Sequence, residues 1–366
     1  MLESTSIKKN HDIEGLRAIA IIFTLILHIS TPLTFPSVLS DFIGPYFDLS
    51  VGVDLFFVVS GFVIAKSFAH SLASSNASTL KVVSTFWLKR AFRLLPTAWL
   101  GLALLGSYYA LSQAFLSSPH DVGIMPFYAS LLNVTNLYIA YVISEGAPLA
   151  YCAINAEPIR FCDGFYIHGH YWSLSLEEQF YLVFPLLFIL LNRRVLVLFL
   201  ILAIAIQFSW GRPLFSYEWF FRTEALCWGI LLALFTTTRA YNSDYVRSSF
   251  SSRLIFLPVI LLILLPPWLG AHYASLTGGY SPYGIGLIAI ASALLVWIAS
   301  YDSGQFSGSG NTGKLMLYLG SRSYSLYVYH FIIFFIVRDT WDLTYGKNIE
   351  FSDTTSATTL ALITLS

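Results

Sequence analysis

The sequence predicts an all-α integral membrane protein, a polytopic bundle of about ten transmembrane helices whose last helix is truncated, and three observations carry this reading. Of 366 residues, 56% are hydrophobic and 11% charged, where soluble domains carry about a quarter charged residues. Mean hydropathy is +0.69. Apolar runs near the length of a bilayer crossing recur along the chain, and Lys and Arg gather between them. The formal net charge is +0 and no stretch forms a basic stripe, so nothing points to a nucleic-acid partner.

The first span covers about 13–31, preceded by Lys8 and Lys9. It lacks a small-residue cleavage site and ends in His28-Ile29-Ser30-Thr31-Pro32, so it reads as a retained helix and not a signal peptide. Residues 31–50 contain no Lys or Arg, which places the N-terminus in the cytoplasm and His28 near the outer face. A second span at about 51–69 returns to an inner segment with Lys66, Lys81, Lys89, Arg90 and Arg93, and a third at about 91–111 leads out again. The stretch 125–143 is apolar but interrupted by Ser130, Asn133, Thr135 and Asn136. Were it to cross, Arg193 and Arg194 would face outward, so 112–171 is placed outside, with 125–143 as a re-entrant or interfacial helix.

Spans at about 172–191, 195–210, 217–236, 254–269, 284–300 and 315–337 follow, their inner ends marked by Arg193, Arg194, Arg239, Arg247, Arg253, Lys314 and Arg322. The last segment, 354–366, has thirteen residues, short of the roughly twenty that a crossing needs. No internal repeat is present, and residues 1–366 read as a single domain. Cys152 and Cys162, in the segment placed outside, could close a disulfide in an oxidising compartment or stand as two separate thiols. Cys227 reads as packing.

Ionisable groups inside a bilayer are costly and mark candidate chemistry. Arg17 and His28 lie on one predicted helix with ten uncharged residues between them, roughly 16 Å apart at 1.5 Å of rise per residue. A neutral His28 suits a base or nucleophile; a hydrogen-bonded core histidine is the plain alternative. Asp54, Glu177 and Glu178 share its predicted depth and are its expected orienting carboxylates. Lys89, Arg90 and Arg93 gather at the inner end of the third span, with Arg90 and Arg93 on one face, a fork suited to phosphates or ordinary inner flanking. Phe57, Ser60 and Gly61 in the second span, and Trp172 and Ser173 in the fourth, line a possible polar interior or serve packing. Arg222 and Glu224 are expected to form a buried pair. Tyr324, Ser325 and His330 in the ninth span could line a polar passage.

Five motifs then occur in a recognisable order: Arg17-x10-His28; Phe56-Phe57-x-x-Ser60-Gly61; Arg90-x-x-Arg93 with Leu94-Leu95-Pro96; Trp172-Ser173-Leu174-Ser175-x-Glu177-Glu178-Gln179-Phe180-Tyr181; and Ser323-Tyr324-Ser325-Leu326-Tyr327-x-x-His330. Together they resemble the membrane acyltransferase-3 family, which includes O-acetyltransferases of bacterial surface polysaccharides. The resemblance spans residues 11 to about 338 and implies a multi-pass transmembrane acyltransferase domain in the inner (plasma) membrane. The co-substrate would be cytoplasmic acyl-CoA, acetyl-CoA above all, and the acceptor a hydroxyl of a cell-surface or lipid-linked glycan, with no metal. By motif, His28 would be the catalytic histidine with Arg17 its partner, Arg90 and Arg93 would bind the coenzyme, and Phe57, Ser60, Gly61, Trp172, Ser173, Glu178, Tyr324, Ser325 and His330 would line the site; the residues' own placement adds Glu177 as a catalytic partner of His28, Lys89 beside the coenzyme arginines, and Asp54 to the lining. His28 would act as base or transient acyl carrier. The expected form is a stand-alone version without the esterase-like domain of some relatives, and the short final helix leaves an inactive relative as one reading. A transporter or flippase for a glycan or small anion is a different class, since such residues also line transport paths.

Overall fold

A computed structural model describes residues 9–29, 49–115, 124–144, 168–212, 217–242 and 283–345. The elements within them are all helical: α1 (His11–Ile29), α2 (Val51–Ser74), α3 (Thr79–Phe115), α4 (Ile124–Leu131), α5 (Thr135–Ser144), α6 (Tyr171–Leu190), α7 (Arg193–Phe208), a 3-10 turn (Tyr217–Phe221), α8 (Glu224–Phe235), α9 (Gly284–Ser300) and α10 (Gly310–Tyr345). The predicted span at 254–269, the segment 354–366 and the Cys152–Cys162 pair lie outside the described residues.

Three of the described helices, at Val51–Ser74, Thr79–Gln113 and Tyr171–Leu190, are long and apolar enough to cross a membrane. Large apolar side chains stand exposed on α3 (Phe92, Leu100, Leu111), α6 (Leu182, Val183, Leu190) and α7 (Leu198, Leu202, Ile206). A belt of this kind is stable against lipid and not against water.

The centre of the bundle is α2, which packs against α8, α1 and α9, while α1 is held between α2 and α10. Glycines let the backbones approach there. A side chain at Gly61 would strike the Leu226 carbonyl, and one at Gly229 would strike the Val58 carbonyl, so α2 and α8 cross at small-residue contacts. Gly61, expected to line the site, is therefore a packing residue. Gly320 of α10 likewise sits against the Glu14 carbonyl of α1. Further along, His28 and His330 meet, so α1 and α10 run in the same direction over this interval.

The polar start of α1 is sewn to the 302–307 loop. Asn10 Oδ1 accepts from the Ile13 amide at 2.8 Å, an N-cap contact, and Asp302 Oδ1 accepts from the His11 and Asp12 amides. Asp12, fully buried, accepts from the amides of Gly304, Gln305, Phe306 and Ser307 at 2.9–3.1 Å. These bonds satisfy a buried carboxylate that forms no ion pair among the described residues.

Several predicted elements differ from those observed. The charged segment before the third span is helical, because α3 begins at Thr79 and carries Lys81, Lys89, Arg90 and Arg93 in one rod with Pro96 inside it. The 125–143 stretch forms two short helices that break at Asn133, whose φ is 54°. Its polar residues are what dock it onto α6: Gln179 exchanges amide hydrogen bonds with Asn136 and donates to the Asn133 carbonyl, and the Thr135 amide donates to Ser175 Oγ. The expected continuous helix at 217–236 is instead a 3-10 turn followed by α8, broken where Thr223 bonds Gln207 of α7.

Candidate functional site

Helices α1, α2, α3, α6 and α10 enclose a cleft of about 690 Å3 including its mouth. Three guanidinium groups converge on it, from Arg17, Arg90 and Arg93, with the Glu177 carboxylate also on its wall. The i,i+3 spacing puts Arg90 and Arg93 on one face of α3, as the sequence predicts. Arg17 pairs with Glu14 at 3.0 Å, and Glu14 is also 3.6 Å from Lys9. Arg90 lies against the rings of Phe86 and Tyr181, 5.7 and 5.4 Å from their centroids. Among the described residues neither Arg90 nor Arg93 forms an ion pair, so the cleft carries unneutralised positive charge suited to an anionic ligand. Phe57 and Ser60 of α2, Ser173 of α6 and Tyr324 of α10 line it.

Tyr327 closes one side of the cleft. Its hydroxyl is 2.6 Å from Ser173 Oγ and donates to the His170 carbonyl at 3.2 Å. Its own carbonyl is 2.6 Å from Nδ1 of His330, three residues on. His330 Nε2 in turn lies 2.9 Å from His28 Nδ1. The rings of His28 and His330 stack with centroids 4.9 Å apart, and Phe331 packs against both. His330 is buried and His28 half-buried. One residue layer, Tyr327, thus separates the cationic cleft from the histidine pair.

Other expected residues fall elsewhere. Asp54, expected to orient His28, pairs with Arg222 at 3.3 Å, with both side chains 2% exposed. Arg222 lies 5.0 Å from the Trp172 ring and 4.0 Å from that of Trp219, and Trp172 meets Phe57 edge to face, so Trp172 supports this pair and is not part of the cleft lining. The expected Arg222–Glu224 pair does not form as such: Glu224 pairs with Arg212. Glu177 accepts from the Tyr181 hydroxyl and belongs to the arginine cleft, whereas depth alone had set it beside His28. Lys89 is exposed and off the lining, and Glu178 and Ser325 are half-buried and also off it. A step of one residue turns a helix by about 100°, which carries each away from its lining neighbour.

The sequence reading gave no role to Glu14, His168 or His170. His170, just before α6, stacks on Phe331 and meets His330 edge to face at 5.2 Å. Its signal was the His168-Gly169-His170 triplet next to the fourth motif. His168 Nδ1 lies 3.3 Å from Ser130 Oγ, and burial pushes its pKa down to about 3.

No group of three or more metal-ligating side chains occurs among the described residues. Comparison with known proteins gives a consistent picture. The acyltransferase domain of the acyltransferase-3 family matches residues 10–366. O-acetyltransferase OatA of Staphylococcus aureus, strains NCTC 8325 and COL, is 27% identical over 349 residues, covering 89% of this chain and 51% of the relative. SACOL0978 of S. aureus strain COL is 26% identical over 353 residues with the same coverage. The chain therefore spans about half the length of these curated relatives. No solved structure matches it. With one family's domain matched from Asn10 to the last residue, and its motifs gathered around one cleft, the chain belongs to the acyltransferase-3 family.

Proposed function

We propose that the protein is a transmembrane O-acyltransferase that moves an acyl group, acetyl above all, from cytoplasmic acyl-CoA to a hydroxyl of a cell-surface or lipid-linked glycan. The observation that carries the reading is the adjacency of the cationic cleft to the histidine pair through Tyr327. Arg90, Arg93 and Arg17 hold the phosphates of the donor. The rise along α1 from Arg17 to His28 is roughly 16 Å, on the order of an extended pantetheine arm. The thioester then reaches His28 while the nucleotide stays at the inner mouth. Loop charges orient the chain in the inner membrane with the N-terminus in the cytoplasm and His28 outward.

His28 serves as general base. It takes the proton of the acceptor hydroxyl as that oxygen attacks the thioester carbonyl. The C–O bond forms, the C–S bond breaks, and the departing thiolate takes the proton back from the imidazolium, so ester and free CoA leave in equal amounts.

The test supplies purified protein in lipid nanodiscs with radiolabelled acetyl-CoA and a lipid-linked glycan acceptor. Acceptor-dependent release of CoA, lost in His28→Ala while acetyl-CoA binding survives, is expected. Release unchanged in His28→Ala removes His28 from the mechanism. Movement of glycan without CoA release points to a transporter.

A further inference from the structure

The hydrogen bonds around His330 have a direction, and it is fixed at one end. The Tyr327 carbonyl can only accept, so the 2.6 Å contact requires a proton on His330 Nδ1. Among the described residues no carboxylate pairs with His330, whose neighbours include Phe331 and Phe334. An imidazolium there would be a buried charge without a counter-ion, so the ring is neutral. A neutral ring protonated at Nδ1 bears a lone pair at Nε2, and Nε2 is the atom 2.9 Å from His28 Nδ1. The proton between the rings therefore belongs to His28 Nδ1.

We infer that His330 is a positioning residue that holds His28 in its Nδ1–H tautomer and leaves His28 Nε2 as the nitrogen that takes the acceptor's proton. The inference rests on the reading of His28 as the acyl-transfer base. It gives Tyr327 a second part, since its side chain closes the cleft while its carbonyl sets the direction of the relay. When His28 gains a proton at Nε2, the Nδ1–H to His330 bond becomes charge-assisted and stronger, which steadies the imidazolium. The role expected of Asp54 or Glu177 thus falls to a neutral histidine.

The experiment is nitrogen NMR of the protein in nanodiscs with all eight histidines labelled in the ring, the His28 signals being assigned by their loss in His28→Gln. Protonated and unprotonated imidazole nitrogens resonate in separate ranges. At neutral pH His28 is expected to show Nδ1 protonated and Nε2 bare; the reverse pattern overturns the inference. In His330→Leu both tautomers are expected to populate, and a single Nδ1–H population there overturns the role of His330. His330→Gln, which can present a carbonyl oxygen at the place of Nε2, should restore the wild-type pattern. In turnover, His330→Leu is expected to lower kcat at least tenfold with the KM for acetyl-CoA unchanged, and His330→Gln to recover part of it. Equal kcat in the Leu and Gln variants overturns the inference, and should the Leu variant not fold, the wild-type spectrum still decides it. A correct tautomer in a protein that releases no CoA refutes the proposed activity alone.

Discussion

The molecule uses arginine in two opposite ways. In the cleft, Arg90 and Arg93 carry no carboxylate partner among the described residues and reach a partly open space. Next to α2 and α8, Arg212 and Arg222 face Glu224 and Asp54 with side chains 1–2% exposed. A buried pair is neutral as a unit and fixes helices to one another; an open guanidinium is held for something that arrives later. In an apolar chain, then, the presence of an arginine says little and its partner says most.

The largest effects are expected on the closed side. Arg222→Leu leaves the Asp54 carboxylate buried beside apolar atoms and should cost about 3–5 kcal/mol of stability. Arg222→Leu combined with Asp54→Leu should recover much of that loss. Thermal unfolding in detergent, followed by size-exclusion fluorescence, measures both. If the single and double variants unfold at the same temperature, the pair is not a structural unit and the contrast fails.

On the open side the sign of the readout changes. Arg90→Ala with Arg93→Ala should raise the apparent KM for acetyl-CoA about 10- to 100-fold, about 0.7–1.4 kcal/mol for each guanidinium, less than a fully buried charge-assisted bond because the cleft is partly open to water. Unfolding temperature should stay near wild type because no buried partner is stranded. A normal KM would break the assignment of the cleft to the donor.

A third way to bury a basic group is to discharge it. His168 is buried with its pKa pushed down to about 3, against 6.5 when unfolded. Between those values the unfolded chain binds the proton and the folded one does not, so stability is full above pH 6.5 and falls as pH drops toward 3. The loss from this group between pH 7 and pH 5 is about 2 kcal/mol. His168→Gln should flatten the unfolding temperature over that interval, and an equally steep profile in the variant assigns the dependence to other groups.

How much of this was legible in the sequence follows from helix geometry. Spacing along one helix was readable, and it grouped Arg90 with Arg93 on one face of α3 and set Arg17 and His28 about three turns apart on α1. Depth was inferred from helix ends alone, and depth fixes at most one coordinate and leaves the direction around the helix open. That is why Asp54 and Glu177 were set beside His28 when one faces Arg222 and the other the cleft. The Arg222–Glu224 pairing failed on a stricter ground: residues two apart on a helix do not face each other, and the chain breaks between them at Thr223. The polar interruptions at Ser130, Thr135 and Asn136 were seen, and they rightly argued against an uninterrupted span. Their purpose was invisible because the partners Ser175 and Gln179 come about forty residues later.

Arg17 sits between the two classes and offers the finest test of the contrast. It lines the cleft like Arg90, yet its guanidinium is 3.0 Å from Glu14, as in the closed pairs. If it belongs with the open group, Glu14 moderates its charge, and Glu14→Gln should strengthen the pull on donor phosphates. The expected result is a two- to fivefold fall in the KM for acetyl-CoA, under about 1 kcal/mol, with a steeper dependence on salt as more charge goes unneutralised. Lys9 loses the same partner, but its side chain is 56% exposed and contributes little. A rise in KM would mean that Glu14 holds the guanidinium in position, and Arg17 would then belong with the structural pairs, leaving Arg90 and Arg93 to grip the donor alone.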